Sequence, residues 1–273
     1  MISMTFEPPA PPLTETAVDA DRYTPPAAVR WGLREAAVGL LLFVAVIVGA
    51  GVLVATGVVE GSDLAQFVLS LLGYGVLAGV AVFASHRLGA GSLAKDFWLR
   101  LRPVDLAIGL GVGLLAKILS VVWGVIAIAL FGLPEQQSNL VLSTDTVWLV
   151  INGVIVVAVV APIVEELYLR GLVMQAVRNA VLRSGGRSQP AAESVQRAAV
   201  LVSIAVSALV FMGLHLYQST DAALLTTLAL GTLTLGVVNA MIVYLTGRLG
   251  AAIVAHMVFN GISVATLLLV GGA

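Results

Sequence analysis

The sequence predicts an all-α, polytopic transmembrane helix bundle of about seven spans, with room for an eighth, interfacial helix. Three observations predict it. The 273 residues are 59% hydrophobic and 11% charged, where a soluble domain carries about 25% charged residues. Mean hydropathy is +1.05. Apolar stretches recur along the chain, each long enough to cross a hydrocarbon core of roughly 30 Å.

Taken in order, the chain opens with residues 1–30, which hold six of the ten prolines (Pro8, Pro9, Pro11, Pro12, Pro25 and Pro26) and several scattered acids. That composition predicts a disordered tail. It is not a cleavable signal, because no basic stretch followed by a compact apolar core stands at its start. Residues 31–273 read as the transmembrane domain. Its apolar segments are 36–59, 64–85, 104–132, 147–169, 198–217, 222–246 and 249–270.

The basic residues set an orientation. Arg22, Arg30 and Arg34 precede the first segment. Arg87, Lys95, Arg100 and Arg102 follow the second, Arg178, Arg183, Arg187 and Arg197 the fourth, and Arg248 the sixth. The intervening loops carry acids instead: Glu60 and Asp63, Glu135 and Asp145, then Asp221. The alternation is unbroken. It predicts a cytoplasmic N-terminus and an external C-terminus in an integral membrane protein, with a bacterial plasma membrane as the expected location. Segment 93–103 mixes Phe97, Trp98 and Leu99 with Lys95, Arg100 and Arg102, and is expected to lie on the inner leaflet surface. Gly75/Gly79 and Gly109/Gly113, each four apart, would let helices approach closely.

A net charge of −1 points to no nucleic acid, and the expected surroundings are the lipid bilayer. The chain has no Cys, which excludes disulfides, thiolate catalysis and Cys-ligated metal. Any metal would have to use His, Asp, Glu or Asn.

Few ionisable groups fall inside the spans: Lys117, Glu165, Glu166, Arg170, His215 and His256. Each charge placed in hydrocarbon costs at least about 2.5–3.5 kcal/mol, so such groups face a protein interior or a wet cavity and mark functional sites by default. Glu166 and Arg170 are i,i+4 with the acid N-terminal, the favoured order for a helical ion pair. Glu165 is turned about 100° from Glu166, into a different sector. Pro162, three residues earlier, removes a backbone donor and is expected to kink the helix. Phe211 and His215 are i,i+4, as are His256 and Asn260. The third histidine, His86, stands beside Arg87 in a loop and reads as solvated. Lys117 fits no motif; it could snorkel, pair with an acid or line a cavity.

Convergence of Glu165, His215, His256 and Asn260 would make a small polar pocket in an apolar bundle. Carboxylate plus imidazole can activate a water as general base, while a further imidazole and an amide can donate to an oxyanion. Alternatively, Glu165, His215 and His256 are suitable ligands for a catalytic zinc with an open position. Both routes end in hydrolysis of a peptide or amide bond, so the cofactor is either none or zinc.

At these motifs the sequence resembles the CPBP family, which comprises type II CAAX prenyl proteases and bacteriocin-processing and immunity-type membrane proteases. The resemblance rests on Glu165-Glu166 with Arg170, Phe211 with His215, and His256 with Asn260, in that order, and covers about residues 100–270. It implies an intramembrane endopeptidase acting on a membrane-associated protein or peptide. It makes Glu165 and His215 the water-activating pair, with His256 and Asn260 stabilising the oxyanion and Glu166, Arg170 and Phe211 in support. A metal-free, glutamate-dependent mechanism is the account favoured for the family. Other readings of the same residues are a membrane scaffold or immunity protein that keeps the fold without catalysis, and a proton-coupled transporter. The sequence shows no internal repeat to favour the latter. The segment limits raise one conflict: they put His256 about seven residues and His215 about seventeen from the inner ends, some 15 Å apart in depth.

Overall fold

The structure is a computed structural model that describes residues 30–134, 143, 145–184 and 193–271. The proline-rich tail lies outside the described residues, apart from Arg30 at its edge. All regular structure among the described residues is helical. Among the described residues, seven helices are long and apolar enough to cross a membrane. In chain order the helices are α1 (Leu33–Ala55), α2 (Asp63–Leu88), the short α3 (Leu93–Asp96), α4 (Pro103–Phe131), α5 (Thr146–Ser184), α6 (Glu193–Gly213), α7 (Ala222–Thr246) and α8 (Gly250–Gly271).

Local chemistry explains where most of them start and stop. Asp145 accepts from the N–H groups of Val147 and Trp148, and Asp221 from those of Ala223 and Leu224, so each caps a helix N-terminus. Pro103 occupies the first turn of α4, where its missing N–H costs nothing. Gly247 ends α7 at φ 63°, the left-handed conformation that a residue without Cβ adopts freely.

Helices α4, α7 and α8 pack against one another, and their closest approach is made by glycine. A Cβ on Gly109 would lie 2.7 Å from the Ala251 carbonyl oxygen, and one on Gly113 2.5 Å from that of Ala255. The Gly109/Gly113 pair is therefore a true close contact between α4 and α8, worth its entropic cost because it brings backbones together. The Gly75/Gly79 pair is not: a Cβ at either position meets nothing within 4 Å, and both residues are exposed. Four-residue spacing alone does not distinguish a packing face from an open one.

Two further expectations are corrected. The 93–103 segment does not lie flat as a surface helix. Only Leu93–Asp96 is helical; Phe97 is fully buried and stacks at a tilt on Trp31, with ring centroids 5.0 Å apart. Asp96 is buried too, accepting from Ser85 Oγ at 2.7 Å and from the N–H groups of Ala90 and Ser92. Trp98 takes φ 56°, and its carbonyl accepts from Leu249 N–H while that of Arg100 accepts from Gly250 N–H. The segment is a wedge joined to the α7–α8 turn. Aspartate and backbone carbonyls decide its place, and these do not show in a count of aromatic and basic residues. Nearby, Arg248 bonds Asp105 at 2.7 Å, and this carboxylate holds the guanidinium above its usual range.

The second correction concerns α5. The apolar segment expected to end near residue 169 continues as helix to Ser184. Pro162 is absorbed by a change of hydrogen-bond register. Residues Leu149–Val160 and Leu167–Val173 are π-helical, and Ala161–Glu166 between them is α-helical. Wider π turns let a chain pass a missing donor without breaking, and they gather at functional sites.

Candidate active site

Glu165 and Glu166 occupy the α-helical turn of α5 between its two π-helical stretches, and they face different partners. Glu166 is fully buried. Its Oε1 lies 3.1 Å from Arg170 Nη1, 3.0 Å from His256 Nδ1 and 3.0 Å from Asn239 Nδ2. Arg170 is equally buried; it donates to the Gly236 carbonyl at 3.1 Å and lies over the Phe211 ring, 4.8 Å from its centroid. A buried charge is tolerable when paired and hydrogen-bonded; this knot pairs the two charges and ties α5, α7 and α8 together, while Glu166 Oε2 and Arg170 Nε and Nη1 make no hydrogen bond among the described residues.

Glu165 turns the other way. It is 8% exposed, and the Tyr74 phenol lies within electrostatic range of its carboxylate. Its Oε2 makes no hydrogen bond with the described residues and lies 3.7 Å from His256 Nε2. Tyr217 and His215 also lie within electrostatic range of it.

The two imidazoles are oriented by what their Nδ1 atoms touch. His215 Nδ1 is 2.8 Å from the Phe211 carbonyl. A carbonyl only accepts, so Nδ1 carries the hydrogen and Nε2 is left to act. His256 Nδ1 faces a Glu166 carboxylate oxygen, which assigns its hydrogen in the same way. Phe211 stands between the two rings, edge-on to both, with centroids 4.6 Å from His215 and 5.2 Å from His256.

The expected depth conflict does not arise, since Phe211 lies against both imidazoles. Helix α6 starts at Glu193, in an exposed i,i+4 ion pair with Arg197. The last part of α5 packs alongside it as a pair. Phe211 thus sits about 27 Å along α6, whereas His256 is only about 9 Å along α8. Helix α6 then stops at Gly213, beside Phe211, which packs on Gly236 of α7. From Gly236, α7 continues about 21 Å to its start at Ala222. Over that distance α6 has no counterpart, and the chain runs through His215 and a 3₁₀ turn at Leu216–Gln218 instead. His215, just past the helix end, is half-buried.

Glu165, His215 and His256 thus gather around Phe211, with Glu166 and Arg170 behind them. Asn260 is placed differently. Its Nδ2 donates to the Val157 carbonyl at 2.9 Å, one turn away from His256. Sequence reasoning missed Asn239, Tyr74 and Tyr217. Asn239 carries a weak signal, an amide in an apolar helix; the two tyrosines carry none, since a phenol in a span reads as ordinary packing. Lys117, left unassigned, donates to Ser263 at 2.8 Å and lies 4.9 Å above the Phe259 ring. As for a metal, the described residues contain no group of three His, Asp or Glu side chains able to hold one. Nδ1 of His256 is held by Glu166 and that of His215 by a backbone carbonyl, which leaves Nε2 of each ring as the atom that would meet a metal.

Comparison with curated proteins and with solved structures gives no match. A family model does match, described as type II CAAX prenyl endopeptidase Rce1-like, over residues 146–262. That stretch runs from the start of α5 into α8 and contains every residue of the three motifs, so the segment that builds the site is similar to the type II CAAX prenyl endopeptidase Rce1-like family.

Proposed function

We propose that the chain is an intramembrane endopeptidase that hydrolyses a peptide bond with a water activated by Glu165 and His215. The observation that carries this reading is the division of labour between adjacent acids. Oε2 of neither acid makes a hydrogen bond among the described residues, but Glu166 is fully buried with three partners on Oε1, while Glu165 is 8% exposed and turns Oε2 toward His256 Nε2. A structural ion-pair knot accounts for Glu166 and leaves Glu165 without a purpose; a general base needs such a carboxylate, near a polar pocket and not neutralised.

In this reading Glu165 accepts the proton of the attacking water, and His215 Nε2 is the second acceptor that orients it. His256, held at Nδ1 by Glu166, presents Nε2 to the oxygen of the tetrahedral intermediate and stabilises it when protonated. The second N–H of the Asn260 amide, not used by Val157, is the other donor on this side. Phe211 sets the spacing of the imidazoles, and Arg170 fixes Phe211 and Glu166. The substrate is a membrane-associated protein or peptide, of the prenylated C-terminal or peptide-precursor class. The orientation follows the charge alternation, with the N-terminus in the cytoplasm and the C-terminus outside a bacterial plasma membrane.

The test is cleavage by purified, reconstituted protein of a panel of prenylated and unprenylated peptides. Wild type should cleave at least one; Glu165→Ala and His215→Ala should each lose that cleavage. Retention of full cleavage by either variant would overturn the reading.

A further inference from the structure

The helix that carries both glutamates contains one carbonyl with no backbone donor left to it. Through Leu149–Val160 the bonds of α5 run i→i−5, and the N–H of Ala161 closes on the Val156 carbonyl. In that register the next donor, at residue 162, would close on Val157. Residue 162 is Pro162, which has no N–H. The donor that an α-helical register would supply is Ala161, and it is already committed to Val156. By the end of the following turn the register has tightened, with Leu167 N–H closing on Ile163 and Val164. The Val157 carbonyl therefore falls at the step between registers, in a hydrocarbon layer where an unpaired carbonyl is costly.

It is not left unpaired. Asn260 Nδ2 donates to it at 2.9 Å, from the helix that also presents His256 to Glu165 and Glu166. We infer that Asn260 is a positioning residue whose amide replaces the backbone N–H missing at Pro162, and so fixes how α5 is set against α8 where Glu165 and Glu166 meet His256. Pro162 and Asn260 are then one device. The proline forces the register step three residues before Glu165, and the amide pins that step to α8. The bond is independent of the proposed proteolysis; its consequence for activity rests on that reading.

A cycle of four proteins tests it: wild type, Asn260→Leu, Pro162→Ala and the double variant, in detergent. Pro162→Ala returns the missing donor, so Val157 no longer depends on Asn260. Asn260→Leu should lower the melting temperature clearly when Pro162 is present and much less in the Pro162→Ala background. Misfolding of Asn260→Leu alone, with a folded double variant, is the same result in stronger form. Equal losses in both backgrounds, or misfolding in both, would overturn the inference. Proteolysis supplies the second readout. The single variant should lose most kcat with little change in KM, and adding Pro162→Ala should restore at least tenfold, the part lost through misplacement, while the part lost with the oxyanion donor stays lost. No recovery, despite coupled melting temperatures, would overturn the positioning role. A wild type that cleaves nothing sinks the proteolytic reading while the melting cycle still decides the bond.

Discussion

His256 Nδ1 lies 3.0 Å from Oε1 of Glu166, and this contact, more than any made by Glu165, sets the geometry of the site. It turns the imidazole so that Nε2 faces Glu165 at 3.7 Å. Because Arg170 and Asn239 converge on the same oxygen, the ring is held through Glu166 by three helices at once. The adjacent acids are thereby separated into a residue that builds and a residue that reacts.

Glu166→Gln should cost stability before it costs anything else. The substitution leaves Arg170 fully buried with no compensating charge, a situation worth about 3–5 kcal/mol of destabilisation. Arg170→Met added to Glu166→Gln should recover part of the loss, because no uncompensated charge remains. Unfolding of the purified variants in mixed detergent micelles measures both effects.

Much of this was legible in the sequence, because membrane insertion makes each buried charge conspicuous. The seven spans, the Glu166–Arg170 pair and the facing of Glu165 into another sector all follow from hydropathy and helical spacing. What stayed hidden depends on backbone detail. The π-helical stretches around Pro162 carry α5 on to Ser184, and Phe211 brings His215 and His256 together. The burial of Phe97 was equally hidden, since it follows from Asp96 capping a turn. Tyr74 was beyond reach because it comes from α2, far from the motifs in sequence.

Gly113→Ala should destabilise the bundle where Gly75→Ala does not. The new Cβ at residue 113 would meet the Ala255 carbonyl oxygen at 2.5 Å and Val258 Cβ at 2.8 Å, so α4 and α8 must separate, at about 1–3 kcal/mol for overpacking of this kind. At residue 75 nothing lies within 4 Å, and the change should stay within about 0.5 kcal/mol. Paired melting curves of the two variants give the comparison.

Tyr74→Phe should reduce turnover without unfolding the protein. The phenol lies within electrostatic range of the Glu165 carboxylate, and one hydrogen bond donated to it during turnover would be worth about 0.5–1.5 kcal/mol net, a loss of roughly two- to twelvefold. The loss should fall in kcat, with the melting temperature unchanged. Steady-state kinetics on a single cleaved peptide separates the two parameters.

Chelators should leave cleavage unchanged. No group of three His, Asp or Glu side chains among the described residues is placed to hold a metal. Activity before and after dialysis against a strong zinc chelator, with elemental analysis of the same sample, is the measurement.

The central claim is that Glu165 is the base and Glu166 is not, and it is tested most directly by comparative peptidomics of membranes carrying wild type, Glu165→Gln or no protein. Glu165→Gln keeps the size of the side chain and the Glu166 knot while removing the carboxylate. Peptides released by wild type should be missing from the Glu165→Gln sample at equal protein level and equal melting temperature. Their undiminished appearance with Glu165→Gln would contradict the account.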